Sequence, residues 1–188
     1  MPYIFGNAEE REINDVFALY RKRVDWMDKA GIRQWNTTGY LTAYPPAYYR
    51  EQEAAGTLYV LRRKDTGLPV GAVVLLSSDA GWPDSDTVSA FYLHRLVTDP
   101  AVRGAGKRLI AEAEKLAVSA RKTRVRLDCA ADNAFLNRYY EALGYLPCGL
   151  CTDGPYTGIR REKLLGADGG SLPTPATIPS RRKPTAKM

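Results

Sequence analysis

The chain has 188 residues, 45% hydrophobic and 26% charged, with a formal net charge of +6. That composition and length suit one globular domain with a sizeable core and leave little room for two. The longest apolar run, Val70–Leu76, is far below the roughly 20 residues that span a bilayer.

The opening stretch, MPYIFGNAEER, lacks a basic segment followed by an apolar one, so no signal peptide is expected and the expected location is cytoplasmic. Residues 2–7 can form a short strand. A helix follows over 9–30, with Ile13, Val16, Phe17, Tyr20 and Val24 spaced for one buried face, and Gly31 stops it. The stretch to Gly56, rich in Trp35, Tyr40, Tyr44, Tyr48 and Tyr49 around Pro45-Pro46, reads as a loop and one short helix. Residues 58–63 and 69–77 are strands joined by a turn at Asp65-Thr66-Gly67. An acidic loop over 77–86 leads to a third long strand, Val88 to Thr98.

Beyond it the segment DPAVRGAGKRL, residues 99–109, opens a helix whose buried face carries Leu109, Ala113, Leu116 and Ala120. Arg124 to Cys129 alternates, with Val125, Leu127 and Cys129 on one face and Arg124, Arg126 and Asp128 on the other. Asp132 or Asn133 can cap a further helix containing Phe135, Leu136, Tyr139, Tyr140 and Leu143, closed by Gly144. Strands over 145–151 and 158–164 complete a single domain, residues 1–165. The expected fold class is α/β, a mixed sheet flanked by helices.

Residues 166–188 are rich in Gly, Pro, Ser and Thr and form a basic tail expected to be flexible. Arg181, Arg182, Lys183 and Lys187 against Asp168 supply half of the net charge. The remaining domain carries no strong basic signature, so nucleic acid is not an expected partner, and neither is a membrane. Three cysteines make no disulfide framework. Cys148 and Cys151 form a lone CxxC with one histidine in the whole chain, which is too little for a metal site, and none is expected.

In DPAVRGAGKRL, Gly104 and Gly106 allow a tight turn and close approach to an anion. The free amides and dipole of the helix start favour negative charge there. A glycine turn entering a helix is common for geometric reasons alone. This one is neither a Walker loop nor a dinucleotide fingerprint, since the spacing and the third glycine are wrong.

With the preceding strand Leu93–Thr98, however, the segment resembles motif A of the GCN5-related N-acetyltransferase (GNAT) family, its positions filled by Arg103, Gly106 and Arg108. Downstream, Asp132-Asn133 and Arg138-Tyr139-Tyr140-Glu141-Ala142-Leu143-Gly144-Tyr145 resemble the family's second signature. The resemblance implies an acetyl-CoA-dependent N-acetyltransferase of the GNAT-like fold, acting directly and without metal. It places the pantetheine arm on the backbone of Leu96, Val97 and Thr98 and the pyrophosphate on the amides of Arg103, Gly104, Ala105, Gly106, Lys107 and Arg108. Asn133 matches an asparagine that contacts CoA, and Tyr140 matches the general acid that protonates the departing thiolate.

His94, four residues before Thr98, occupies a strand position where family members often carry a glutamate, and an imidazole is suited to accept the amine's proton near neutral pH. Arg108 departs from the pattern, which has a small residue there: its guanidinium either adds a phosphate contact or crowds the site. The rival reading is a non-catalytic, acyl-CoA-binding member of the fold. The acceptor that the resemblance implies is a primary amine of a small molecule or peptide. Residues 25–44, 77–86 and 151–157 are expected to line its side, with aspartates and aromatic residues suited to an ammonium group. Sequence leaves monomer and homodimer equally open.

Overall fold

The alternating and continuous apolar segments pair into one seven-stranded sheet, in a computed structural model that describes residues 3–154 and 156–166. The strands are β1 (Tyr3–Asn7), β2 (Leu58–Arg63), β3 (Pro69–Leu76), β4 (Ala90–Thr98), β5 (Arg124–Ala130), β6 (Leu146–Asp153) and β7 (Tyr156–Leu164). Their spatial order is β1-β2-β3-β4-β5-β7-β6. Neighbours run antiparallel except β4 and β5, which are parallel.

Helices cover both faces. On one, Ile13, Val16, Leu19 and Tyr20 of α1 (Ile13–Lys29) pack with Tyr40 of α2 (Tyr40–Ala43) and Tyr49 of α3 (Pro46–Ala54) against Leu58, Val60, Ala72, Val74 and Val97. On the other, Leu109, Ile110, Ala113 and Ala117 of α4 (Ala105–Ser119) and Tyr140 of α5 (Ala134–Ala142) meet Leu61, Val73, Leu75, Leu93, Val125 and Leu127. β3 serves both clusters, which is why its sequence is apolar without alternation. Leu109 is fully buried, and a side chain of that size removed from water contributes about 2 kcal/mol.

Several expectations shift. The stretch before Gly56 holds two short helices, α2 and α3, rather than one. The 151–157 loop is mostly strand, since β6 and β7 stay paired down to Asp153 and Tyr156. That segment therefore gives the site a hairpin tip instead of a free loop. Arg126, on the polar face of the alternating strand, is 2% exposed: the 77–89 connection folds over β5, where Arg126 meets Asp84 on that connection and Glu162 on β7. The predicted tail lies outside the described residues except for Gly166. Among the described residues no helix is long and apolar enough to cross a membrane.

Candidate active site

Two distortions of β4 open the middle of the sheet. On one edge β4 pairs with β5 only over Ala90–Tyr92, opposite Arg124–Arg126. From Leu93 to Thr98 it has no strand partner on that side, so its peptide groups there can meet an extended ligand instead. On the other edge the register against β3 slips between Ala72 and Val74, so Arg95 and Leu96 together oppose Val73, a bulge. Arg95 has φ +55°, unusual for a residue with a side chain. The fully buried Tyr20 donates its hydroxyl to the Arg95 carbonyl and helps hold the bulge.

The backbone predicted for the pantetheine arm lies on this stretch. Leu96 packs toward α4, and Val97 is buried toward α1. Thr98 is partly committed already: its carbonyl and its hydroxyl accept from Arg23 at 2.6 and 2.9 Å.

The predicted phosphate turn follows directly. Gly104 caps α4 in the left-handed conformation, φ +80°, which glycine adopts at no steric cost. Among the described residues the amides of Arg103, Gly104, Gly106 and Lys107 donate to no backbone or side-chain acceptor. These are the free groups of a helix start, aimed where an anion is favoured. Two amides of the expected set differ: Ala105 donates weakly to the Val102 carbonyl at 3.4 Å and Arg108 to that of Gly104 at 3.1 Å. A Cβ at Gly106 would stand 3.2 Å from the Tyr139 hydroxyl, so glycine here also lets α4 approach α5. Arg108 turns away along its own helix, with its guanidinium 2.8 Å from Glu112 and 51% of the side chain exposed. It does not crowd the turn.

Asn133 caps α5, its Oδ1 accepting from the Leu136 amide at 3.0 Å. Behind it stands a pair that sequence reasoning missed, the half-buried Asn137 and the buried Arg161. Asn137 donates to the Ala130 and Asn133 carbonyls, while its Oδ1 accepts from Arg161 at 2.9 Å. Arg161 is 4% exposed and also donates to the Tyr145 carbonyl at 2.9 Å. These bonds fix α5 on β5 and β7, and with it Tyr140. The only hint in the sequence was Asn137 at a helical spacing of four from Asn133.

Tyr140 sits among Cys129, Tyr139 and Tyr145, 8% exposed. Burial, reinforced by its neighbours Cys129, Tyr139 and Asp128, pushes its phenol well above the ordinary value near 10. It therefore stays a neutral O–H donor.

His94 lies on the opposite face of β4 from Leu93. Its Nε2 is 3.0 Å from Oδ2 of Asp79, with the two side chains 23% and 18% exposed. The approach is off the line of a hydrogen bond, so the buried nitrogen sits beside a carboxylate without being tied to it. Burial lowers the imidazole pKa below 6.5 and outweighs the opposing charges of Asp79 and Asp128; the Arg95 charge lowers it further. Asp128 on β5 accepts from the Tyr156 hydroxyl at 2.5 Å, and its charge raises the pKa of both His94 and Tyr140.

The acidic loop is largely spent inside the protein. Asp84 holds Arg126 through both oxygens at 2.9 and 2.8 Å, and Asp79 sits on His94. Trp82 is 7% exposed beneath the Arg126 guanidinium, 4.5 Å from its ring centre. Asp28, from the first expected acceptor region, accepts from Asn36 at 2.7 Å. Cys129, Cys148 and Cys151 are free thiols, and among the described residues no three His, Cys, Asp or Glu side chains gather as metal ligands.

This geometry has relatives. Residues 20–145 match the sequence profile described as "Acetyltransferase (GNAT) family". The chain is 29% identical over 151 residues to the "Uncharacterized N-acetyltransferase YesJ" of Bacillus subtilis, covering 77% of this chain and 79% of that protein. Its fold is similar to a GNAT-family acetyltransferase from Listeria monocytogenes, with a TM-score of 0.72, 21% identity, and coverage of 87% and 95% of the two chains. It is also similar to the PaiA N-acetyltransferase of Thermoplasma acidophilum, solved in complex with coenzyme A, with a TM-score of 0.65, 19% identity, and coverage of 87% and 99%.

Proposed function

The chain belongs to the acetyltransferase (GNAT) family, and from that premise we propose that it moves an acetyl group from acetyl-CoA to a primary amine, with His94 as the base and Tyr140 as the acid. The observation that carries the reading is the set of unpaired backbone groups. The free amides of Arg103, Gly104, Gly106 and Lys107 continue directly from the unpartnered edge of β4. A nucleotide pyrophosphate fits the first and an amide-bearing arm fits the second, which matches the chemistry of coenzyme A. The spare Nδ2 of Asn133, whose oxygen is used in capping, adds a donor nearby.

Acetyl-CoA supplies an activated thioester. The chain's own groups handle the protons. The acceptor arrives as an ammonium and loses one proton to His94, which is neutral at pH 7 because burial depresses its pKa. Asp79, 3.0 Å away, favours the imidazolium that then forms. As nitrogen bonds to the acetyl carbon and the carbon–sulfur bond breaks, Tyr140 donates to the sulfur. Its raised pKa makes it a hydrogen-bond donor first and a proton donor only once thiolate charge has developed. One ammonium proton is released to solvent overall, and the acetyl amide and free thiol are the products. Domain limits of 1–165 with a separate basic tail complete the reading.

The deciding experiment is calorimetry with acetyl-CoA on the full chain, paired with an amine screen followed by thiol release. Micromolar binding together with acceptor-dependent thiol release is the expected result. Absence of binding at high micromolar acetyl-CoA would overturn the assignment.

A further inference from the structure

Arg95 is a cation without an anion. Its guanidinium lies 3.5 Å from the centre of the Tyr44 ring and 5.8 Å from that of Tyr40, and Nη2 donates to the Tyr44 hydroxyl. Among the described residues it forms no ion pair, although Arg62, Arg124 and Arg126 are each matched to a carboxylate. Its Nε is buried and donates to nothing; the buried hydroxyls of Tyr40 and Tyr49 likewise have no hydrogen-bond partner. Buried donors are normally satisfied, and each one left unmade is costly. Three in one aromatic box, beside an unpaired guanidinium, describe a site complementary to an oxyanion.

The position of this box follows from the β4 bulge. Leu93 and Leu96 both pack on the α4 side of the sheet. In a regular strand Arg95 would share that face with Leu93. The left-handed φ of +55° instead places it among Tyr40 and Tyr44, on the α1 side. His94 occupies this same side, because it faces away from Leu93, and it feels the Arg95 charge. Adjacent residues of one strand thus present an imidazole and a guanidinium on a common face.

We propose that the acceptor is a small amino acid, its amine delivered to His94 and its carboxylate held by Arg95 with the hydroxyls of Tyr40 and Tyr44. This rests on the acetyltransferase reading above and names the substrate class of that same site. It narrows the primary-amine acceptor expected from sequence; of the loop aspartates expected to meet the ammonium group, Asp84 is paired with Arg126 and Asp79 lies beside His94. Nitrogen bonds to the acetyl carbon as the carbon–sulfur bond breaks. Of the two protons leaving the ammonium, one is balanced by protonation of sulfur and one passes to solvent through His94. The carboxylate takes no part in the transfer and serves to position the amine.

The test offers the full-length protein acetyl-CoA with a panel of standard amino acids and the matched panel of their carboxamides, reading acetylated product by mass. Wild type should favour the acids by about tenfold or more in kcat/KM, since a site built for a charged hydrogen bond rejects the analogue lacking it. Arg95→Gln should bring the acid-to-amide ratio near unity by raising KM for the acids alone, and Arg95→Lys should restore part of it. Tyr44→Phe should lower the ratio as well, and it reads the same contact should the Arg95 variants fail to fold. A purely structural Arg95 would change stability and leave the ratio alone. Equal or better use of carboxamides by wild type overturns the proposal, and so does absence of product from both panels. In that last case, acetyl-CoA binding by calorimetry shows that the acceptor class alone was wrong, while absence of binding removes the acetyltransferase reading too.

Discussion

Nε2 of His94 and Oδ2 of Asp79 stand 3.0 Å apart, at less than a quarter exposure for either side chain. Such a pair can store a proton taken from an amine, because the carboxylate stabilises the imidazolium once it forms. His94→Gln should lower kcat/KM about a hundredfold near pH 7. The loss should shrink as pH rises and the free amine supplies itself. Asp79→Asn should move the acidic limb of the pH–rate profile downward, since the charge that raises the imidazole pKa is gone. A pH-independent effect of His94→Gln would remove it as base.

The same imidazole carries a stability signature. Its folded-state pKa lies below the unfolded value near 6.5, so between those values the unfolded chain binds more protons than the folded one. Stability therefore falls as pH drops below about 6.5, and the penalty stops growing beneath the folded pKa, where both states are protonated. Denaturant midpoints measured across that window should decline more steeply for wild type than for His94→Gln.

Tyr140→Phe removes one oxygen from a buried side chain that makes no hydrogen bond among the described residues, so packing should survive. Turnover should fall about ten- to a hundredfold while acetyl-CoA affinity changes less than about threefold. Unchanged turnover, measured by thiol release at saturating acetyl-CoA, would take Tyr140 out of the chemistry.

Arg108 is paired with Glu112 and half exposed. Arg108→Ala should cost no more than about 0.5 kcal/mol of stability and leave acetyl-CoA affinity within about threefold by calorimetry. Gly104→Ala should do the opposite. Nothing lies within 4 Å of the added carbon, but φ is +80°, so it costs about 1 kcal/mol through backbone strain and disturbs the free amides. A large affinity loss in Arg108→Ala would show that its guanidinium swings onto a phosphate.

Arg126 is 2% exposed and bridges Asp84, Glu162 and Tyr92. Arg126→Met leaves Glu162 with Arg124 alone, strips Asp84 of its buried partner and frees the loop that carries Asp79. A loss of about 3 kcal/mol is expected, seen as a drop of about 6–12 °C in Tm for a domain of this size. Turnover should fall further than stability alone explains.

Much of this was legible in the chain. The strand and helix order follows from periodicity, because burial of one face imposes it locally. The glycine turn before Leu109 and the Tyr139-Tyr140-Glu141 stretch are contiguous, so their chemistry can be read without knowing what lies across from them. Arg108 was ambiguous only because its direction depends on a neighbour one helical turn away, Glu112.

What sequence could not decide were the pairings between distant segments. Asp79 meets His94, Asp84 meets Arg126 and Asn137 meets Arg161 only after the sheet has assembled. A charge run looks the same whether it is solvated or buried against a partner. The decisive case is Arg95: in sequence it alternates with His94 and belongs on the other face. One residue in a left-handed conformation, braced by Tyr20, turns it to the same side. Local pattern determined the elements and the turn, while the bulge, a product of strand pairing and packing, decided which side chains share the site.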